Sequence, residues 1–192
     1  MLFRSDPVLS QRPGDPGGCS SDAFLLPLND MVELVLDFFQ IFLTEKLLKL
    51  AQEAQDDLIL SQAYNVFGLY FSQISDFSSA LDYQIKALET AEKINDNISK
   101  GIYTANLSYT FHQIGNYQKG VEYGKRSLEI FNALNDSDQQ RPFHYYNLAN
   151  SYDNVAISYI MLRQPDSALN NLQMGFTALM KSKAGAASNQ YM

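Results

Sequence analysis

The sequence predicts an all-α fold, an α-solenoid of antiparallel helical hairpins, and three observations predict it. The stretches "QISDFSSALDYQIKAL" (73–88) and "QIGNYQKGVEYGKRSL" (113–128) repeat one cadence forty residues apart. The stretches "KLLKLAQEAQD" (46–56), "KALETAEKIND" (86–96) and "RSLEIFNALND" (126–136) fall at the same step, and each closes on an Asp. Within each unit the apolar residues keep helical spacing. A fixed period built of two helical stretches marks stacked hairpins, because a lone hairpin cannot bury its apolar face and its neighbours can.

Composition sets the outer bounds. A chain of 192 residues with 46% apolar content can build one domain with a core. Fourteen Lys and Arg against 21 Asp and Glu give a net charge of −7. An acidic chain without a basic stripe is not built to bind nucleic acid directly, nor an anionic membrane surface. The single Cys19 excludes an internal disulfide framework. The most apolar stretch, "MVELVLDFFQIFL" (31–43), carries Glu33 and Asp37 and is too short to span a bilayer. No long apolar run follows Arg4, so no signal peptide is read, and a cytoplasmic location is expected.

Residues 1–22 hold Pro7, Pro13, Pro16 and Gly17-Gly18 among Ser and Asp, so a disordered or artefactual N-terminal segment is expected. Met1–Ser5 match the translation of a string resembling the end of a sequencing adaptor, which predicts an assembly artefact ahead of a missing true N-terminus. Residues 23–56 read as a capping helix or partial repeat, since Pro27 and Leu28 fall where a first helix should be. Three hairpins follow at 57–96, 97–136 and 137–183, with 184–192 as a tail. The closing residues Asp56, Asp96 and Asp136 are N-cap candidates for the next helix.

The first helices carry Phe67, Gly68, Phe71 and Ile74, then Leu107, Ser108, Phe111 and Ile114, then Val155, Ala156, Tyr159 and Leu162. The second helices carry Phe77, Ala80, Leu81, Ala87 and Leu88, then Tyr117, Gly120, Val121, Ser127 and Leu128, then Pro165, Ala168, Leu169, Gly175 and Phe176. Small residues at fixed places predict close helix approach, with Phe71, Phe111 and Tyr159 filling the remaining gaps. Pro165 fits a first helical turn, where a missing N–H costs nothing.

This pattern resembles the tetratricopeptide repeat, whose units pair aromatics with a Leu-Gly step and two small residues in the second helix. "YNVFGLYF" with Ala80 and Ala87 is the nearest match. Ser108, Gly120, Pro165 and Gly175 depart from it, and the closing proline is absent. The forty-residue period is similar to the kinesin-light-chain and bacterial signalling variants. The resemblance spans roughly residues 44–182 and implies a superhelix that binds protein or peptide in a groove lined by its first helices.

No catalytic constellation is present. His112 and His144 lie in different units, and no HExxH, paired CxxC, GxSxG or phosphate loop occurs. A non-enzyme without cofactor or metal is therefore expected. By register, the groove positions are Gln62, Asn65, Leu69, Ser72 and Gln73, then Asn106, Tyr109, His112 and Gln113, then Asn150, Asp153 and Asn154. The set is amide-rich, and an amide offers donor and acceptor together for bidentate pairing with a peptide backbone. The kinesin-light-chain resemblance implies such clamping by Asn65, Asn106 and Asn154. Lys100, Arg141 and Arg163 lie off the groove, which disfavours capture of a C-terminal carboxylate.

The third unit has eight extra residues, since Leu107 to Val155 is forty-eight. Helical spacing from Tyr145 onward predicts a first helix longer by about two turns, roughly 12 Å. Phe143, His144, Tyr145 and Tyr146 would then overhang the shorter neighbours, either covering a core edge or anchoring a partner or second subunit. The expected function is a non-catalytic protein- or peptide-binding scaffold with a protein or peptide partner. The alternative is a sensory or regulatory input domain of a larger bacterial signalling protein, such as a histidine kinase or transcriptional regulator.

Overall fold

The computed structural model describes residues 28–134 and 143–188, and every element among them is an α-helix. They are α1 (Leu28–Ala54), α2 (Asp57–Gln73), α3 (Phe77–Lys93), α4 (Asn97–Gln113), α5 (Tyr117–Asn132), α6 (His144–Met161) and α7 (Pro165–Ser188). The chain divides after Asp37. The described part of the first unit is the opening of α1, and the second unit begins at Phe38. The expectations for residues 1–22 and for Asp136 lie outside the described residues.

The turns between helices are one device used repeatedly. Gln55, Ser75, Asn95, Gly115 and Arg163 each adopt a left-handed φ between 54° and 80°. The residue after each one bonds its N–H back across the end of the helix: Asp56 to Ala51, Asp76 to Phe71, Asp96 to Ala91, Asn116 to Phe111 and Gln164 to Tyr159, all at 2.9–3.0 Å. This closes the orphan carbonyls of the finished helix. In the first four turns the same residue then caps the next helix with its side chain. Asp56 Oδ1 accepts from the N–H of Leu58 and Ile59, and Asp96 Oδ1 from those of Ile98 and Ser99. Asp76 and Asn116 accept from the N–H of Ser79 and Lys119. Pro165 opens α7, at the place that Phe77 and Tyr117 hold in α3 and α5.

Packing follows chain order. The hairpins α2–α3, α4–α5 and α6–α7 are the most intimate pairs; α3 then packs on α4 and α5 on α6, which makes an all-helical solenoid. Among the described residues α1 makes no comparable packing. Small residues set the closeness of helices within and between hairpins. A Cβ on Gly68 would lie 2.5 Å from Gln84 Cγ, and one on Gly120 would lie 2.6 Å from Ser158 Oγ. Two hydroxyls between α4 and α5 are satisfied by facing backbone: Ser108 Oγ donates to the Gly120 carbonyl at 2.6 Å, and Ser127 Oγ to the Gly101 carbonyl at 2.8 Å, whereas Gln84 Oε1 and Ser158 Oγ are buried with no partner among the described residues. Ser127 Oγ also meets Ser151 Oγ at 2.8 Å, so one hydroxyl joins α4, α5 and α6.

Rings fill the space that the small residues leave. Phe71 stacks on Tyr83 at 5.5 Å, and Phe111 stacks on Tyr123 at 5.0 Å, the same pair one unit later. Leu107, Val155 and Phe131 are fully enclosed between the hairpins.

Two expectations need correction. α6 has 18 residues against 17 in α2 and α4, so the eight extra residues do not lengthen it by two turns. His144 aligns with the cap Asp96 (96 + 48 = 144), so Phe143 to Tyr146 begin level with the neighbouring helix instead of overhanging it. At the other end, α7 runs on to Ser188, past the tail boundary expected at 183.

Candidate functional site

The first helices α2, α4 and α6 lie side by side, and residues pointing off their core faces meet along that row. Between α4 and α6 they enclose a pocket of about 270 Å³. Ile102, Ala105, Asn106 and Tyr109 line it from α4, Asn147, Asn150, Asp153 and Asn154 from α6, and Phe131 closes its floor. Five groove residues expected from the sequence are thus brought together: Asn106, Tyr109, Asn150, Asp153 and Asn154. Asn147 was missed, although it precedes Asn150 by three residues and Asn154 by seven on one helical stripe.

Asn65 joins the site through Asn106, whose Nδ2 donates to Asn65 Oδ1 at 2.8 Å. Asn154 Nδ2 donates to the carbonyl of Ala105 at 3.1 Å. Each of these amides therefore spends one group on the neighbouring helix. The Asn65 Nδ2 and the Oδ1 of Asn106 and Asn154 are not used in these bonds. Gln113 Nε2 donates to the Tyr109 hydroxyl at 2.6 Å, which steadies the exposed Tyr109 ring on the pocket rim.

The remaining expected residues are placed elsewhere. Gln62 lines a separate hollow with Leu58 and the turn Asn95–Ser99. Leu69 and Gln73 are exposed on α2 away from the pocket. Ser72 turns into the helix row and meets Thr110 Oγ1 at 2.9 Å. The His112 ring lies 5.5 Å from Tyr117 at the start of α5, and its Nδ1 is buried without a hydrogen-bond partner among the described residues. Burial holds the pKa of His112 below the ordinary histidine value.

The aromatic run at the start of α6 splits by depth. His144 is buried, edge-on to Phe131 at 6.2 Å, and Tyr145 packs on the core under the Lys181 ammonium. Phe143 and Tyr146 remain exposed, at 70% and 49%. The run is therefore half core edge and half free surface.

A second cleft, of about 500 Å³, opens between α1 and the α2–α3 hairpin, with Phe67, Phe71 and Tyr83 on one wall and Ile41 and Leu48 on the other. Sequence reasoning did not find it, because it follows from α1 standing apart, which periodicity does not report. Among the described residues no group of three or more His, Cys, Asp or Glu converges for a metal. No described helix is long and apolar enough to cross a membrane.

Charge in the α4–α6 pocket is confined to Asp153. Its carboxyl is pushed above the usual aspartate value by desolvation, and no described residue forms an ion pair with it. Apart from that carboxylate, the polar lining consists of neutral amides and the Tyr109 phenol, a surface suited to hydrogen bonding in both directions. The sequence matches no protein-family model and no curated protein.

Proposed function

We propose that this chain is a non-catalytic scaffold that binds a protein or peptide on the row of first helices, in the manner implied by its resemblance to long-period tetratricopeptide repeats. One observation carries the reading. The α4–α6 pocket gathers four asparagines and an exposed tyrosine beside buried apolar walls, and the amides keep groups unspent by the fold. Few precisely placed polar groups over an apolar floor are what fixes an extended chain in one register.

The test uses residues that the helix row does not need. Asn150 and Tyr109 are exposed and make no bond between helices among those described. An affinity pull-down from a lysate of the source organism compares the wild type with Tyr109→Ala/Asn150→Ala, after circular dichroism has matched their helicity. A partner held by the wild type and lost by the variant supports the reading. Equal retention by both removes the pocket from the function.

A further inference from the structure

Residues 65, 105 and 153 share one register position on α2, α4 and α6 (65 + 40 = 105; 105 + 48 = 153). In the first two units that position supplies an acceptor to the residue one step further along the next first helix. Asn65 Oδ1 takes Asn106 Nδ2, and the Ala105 carbonyl takes Asn154 Nδ2. In the third unit the position holds Asp153, a stronger acceptor, and no described residue donates to it.

The surroundings of Asp153 favour one kind of donor. The carboxylate lies beside the α7 backbone, where a Cβ on Gly175 would come within 3.1 Å of its Oδ1, and the residue is exposed. No described Lys or Arg lines the pocket, and the chain as a whole carries −7. A ligand that excludes water from an unpaired carboxylate meets a large desolvation cost, which a cation offsets and an anion worsens. Tyr109 offers a ring on the same pocket, and ring faces attract ammonium and guanidinium groups.

We propose that the α4–α6 pocket is the subsite for a Lys or Arg side chain of the bound peptide, with Asp153 as its counter-ion. The proposal rests on the peptide-binding reading and specifies the ligand as basic at one position.

The probe is a randomised peptide library displayed on phage, selected in parallel on the wild type, Asp153→Asn and Asp153→Lys. Asp153→Asn preserves shape at an exposed site, and thermal melts establish that both variants are folded. The wild type is expected to enrich Lys or Arg at one position about tenfold or more over Asp153→Asn, which corresponds to the smallest coupling of close charge pairs across interfaces. Asp153→Lys is expected to turn the preference toward Asp or Glu. Enriched peptides with no basic position, or the same basic preference on Asp153→Asn, overturn the cationic subsite and leave the peptide-binding reading standing. If the wild type enriches no sequence over bare matrix, both are overturned.

Discussion

Asn106 on α4 donates to Asn65 on α2, and Asn154 on α6 repeats the move onto the backbone of Ala105. Each bond joins a residue to the register position one step back on the preceding first helix. The row is thus tied by side chains as well as by apolar contact. Asn106→Ala leaves the Asn65 carbonyl oxygen part-buried without its donor, and the expected cost is about 0.5–1.5 kcal/mol. Asn154→Ala should cost a similar amount. Urea unfolding of Asn65→Ala, Asn106→Ala and the double variant checks the pairing. The two changes together should cost less than their sum, whereas strict additivity would show that the bond contributes nothing.

Those ties explain what could and could not be read from the residues alone. The hairpins were legible because caps and apolar spacing are local: Asp56 and Asp96 stand beside the helices they start, and Phe71 and Phe111 recur in phase. The partner of each asparagine was not legible. Which residue Asn106 reaches depends on how far α4 slides along α2, and no local rule sets that distance. The start of α6 was misjudged for a related reason. Its apolar stripe is helical throughout, but Phe143 stands at the cap with no side-chain hydrogen bond, so no capping residue marks the boundary. Register places His112 on the groove side of α4, and it does not report the contact of its ring with Tyr117.

Sizes at the hairpin crossings are exchanged between units. In the first hairpin Gly68 faces the long Gln84, and in the second Ser108 faces Gly124, the register equivalent of Gln84 (84 + 40 = 124). A Cβ added to Gly124 would collide with Val155 Cγ2 and sit 3.0 Å from Ser108 Oγ. Both neighbours are fully buried and cannot turn away. Gly124→Ala should therefore destabilise by about 1–3 kcal/mol despite its better helix propensity. An unchanged or raised urea midpoint would show that the crossing is looser than this geometry requires.

The left-handed residues in the turns differ in what they cost. Gly115 reaches φ 80° freely, whereas Arg163 holds φ 56° with a side chain attached. Relief of that strain is worth about 1–2 kcal/mol, less the extra freedom that glycine gives the unfolded chain. Arg163 is exposed and takes part in no described ion pair, so its side chain is dispensable. Arg163→Gly should stabilise by about 0.5–1 kcal/mol, and Gly115→Ala should do the reverse. Thermal melts of the two variants check the opposite signs.

Acid should weaken the α4–α5–α6 junction through His144. The imidazole is buried beside Phe131 and Tyr145, its Nδ1 lacks a hydrogen-bond partner among the described residues, and burial holds its pKa below the ordinary 6.5. The folded state therefore binds this proton less readily than the unfolded chain does. Its contribution is fully present above the unfolded value of 6.5 and is lost as pH falls through 6.5 toward the lowered folded value. His112, the other histidine, is lowered by the same cause and acts in the same direction. Urea midpoints should thus be level above neutrality and fall on acidification from about pH 6.5. The fall should be shallower in His144→Leu than in the wild type, and shallower again in the variant that also carries His112→Leu. A histidine-free variant whose stability falls as steeply as the wild type between pH 7 and 5 would assign the loss to carboxylates instead.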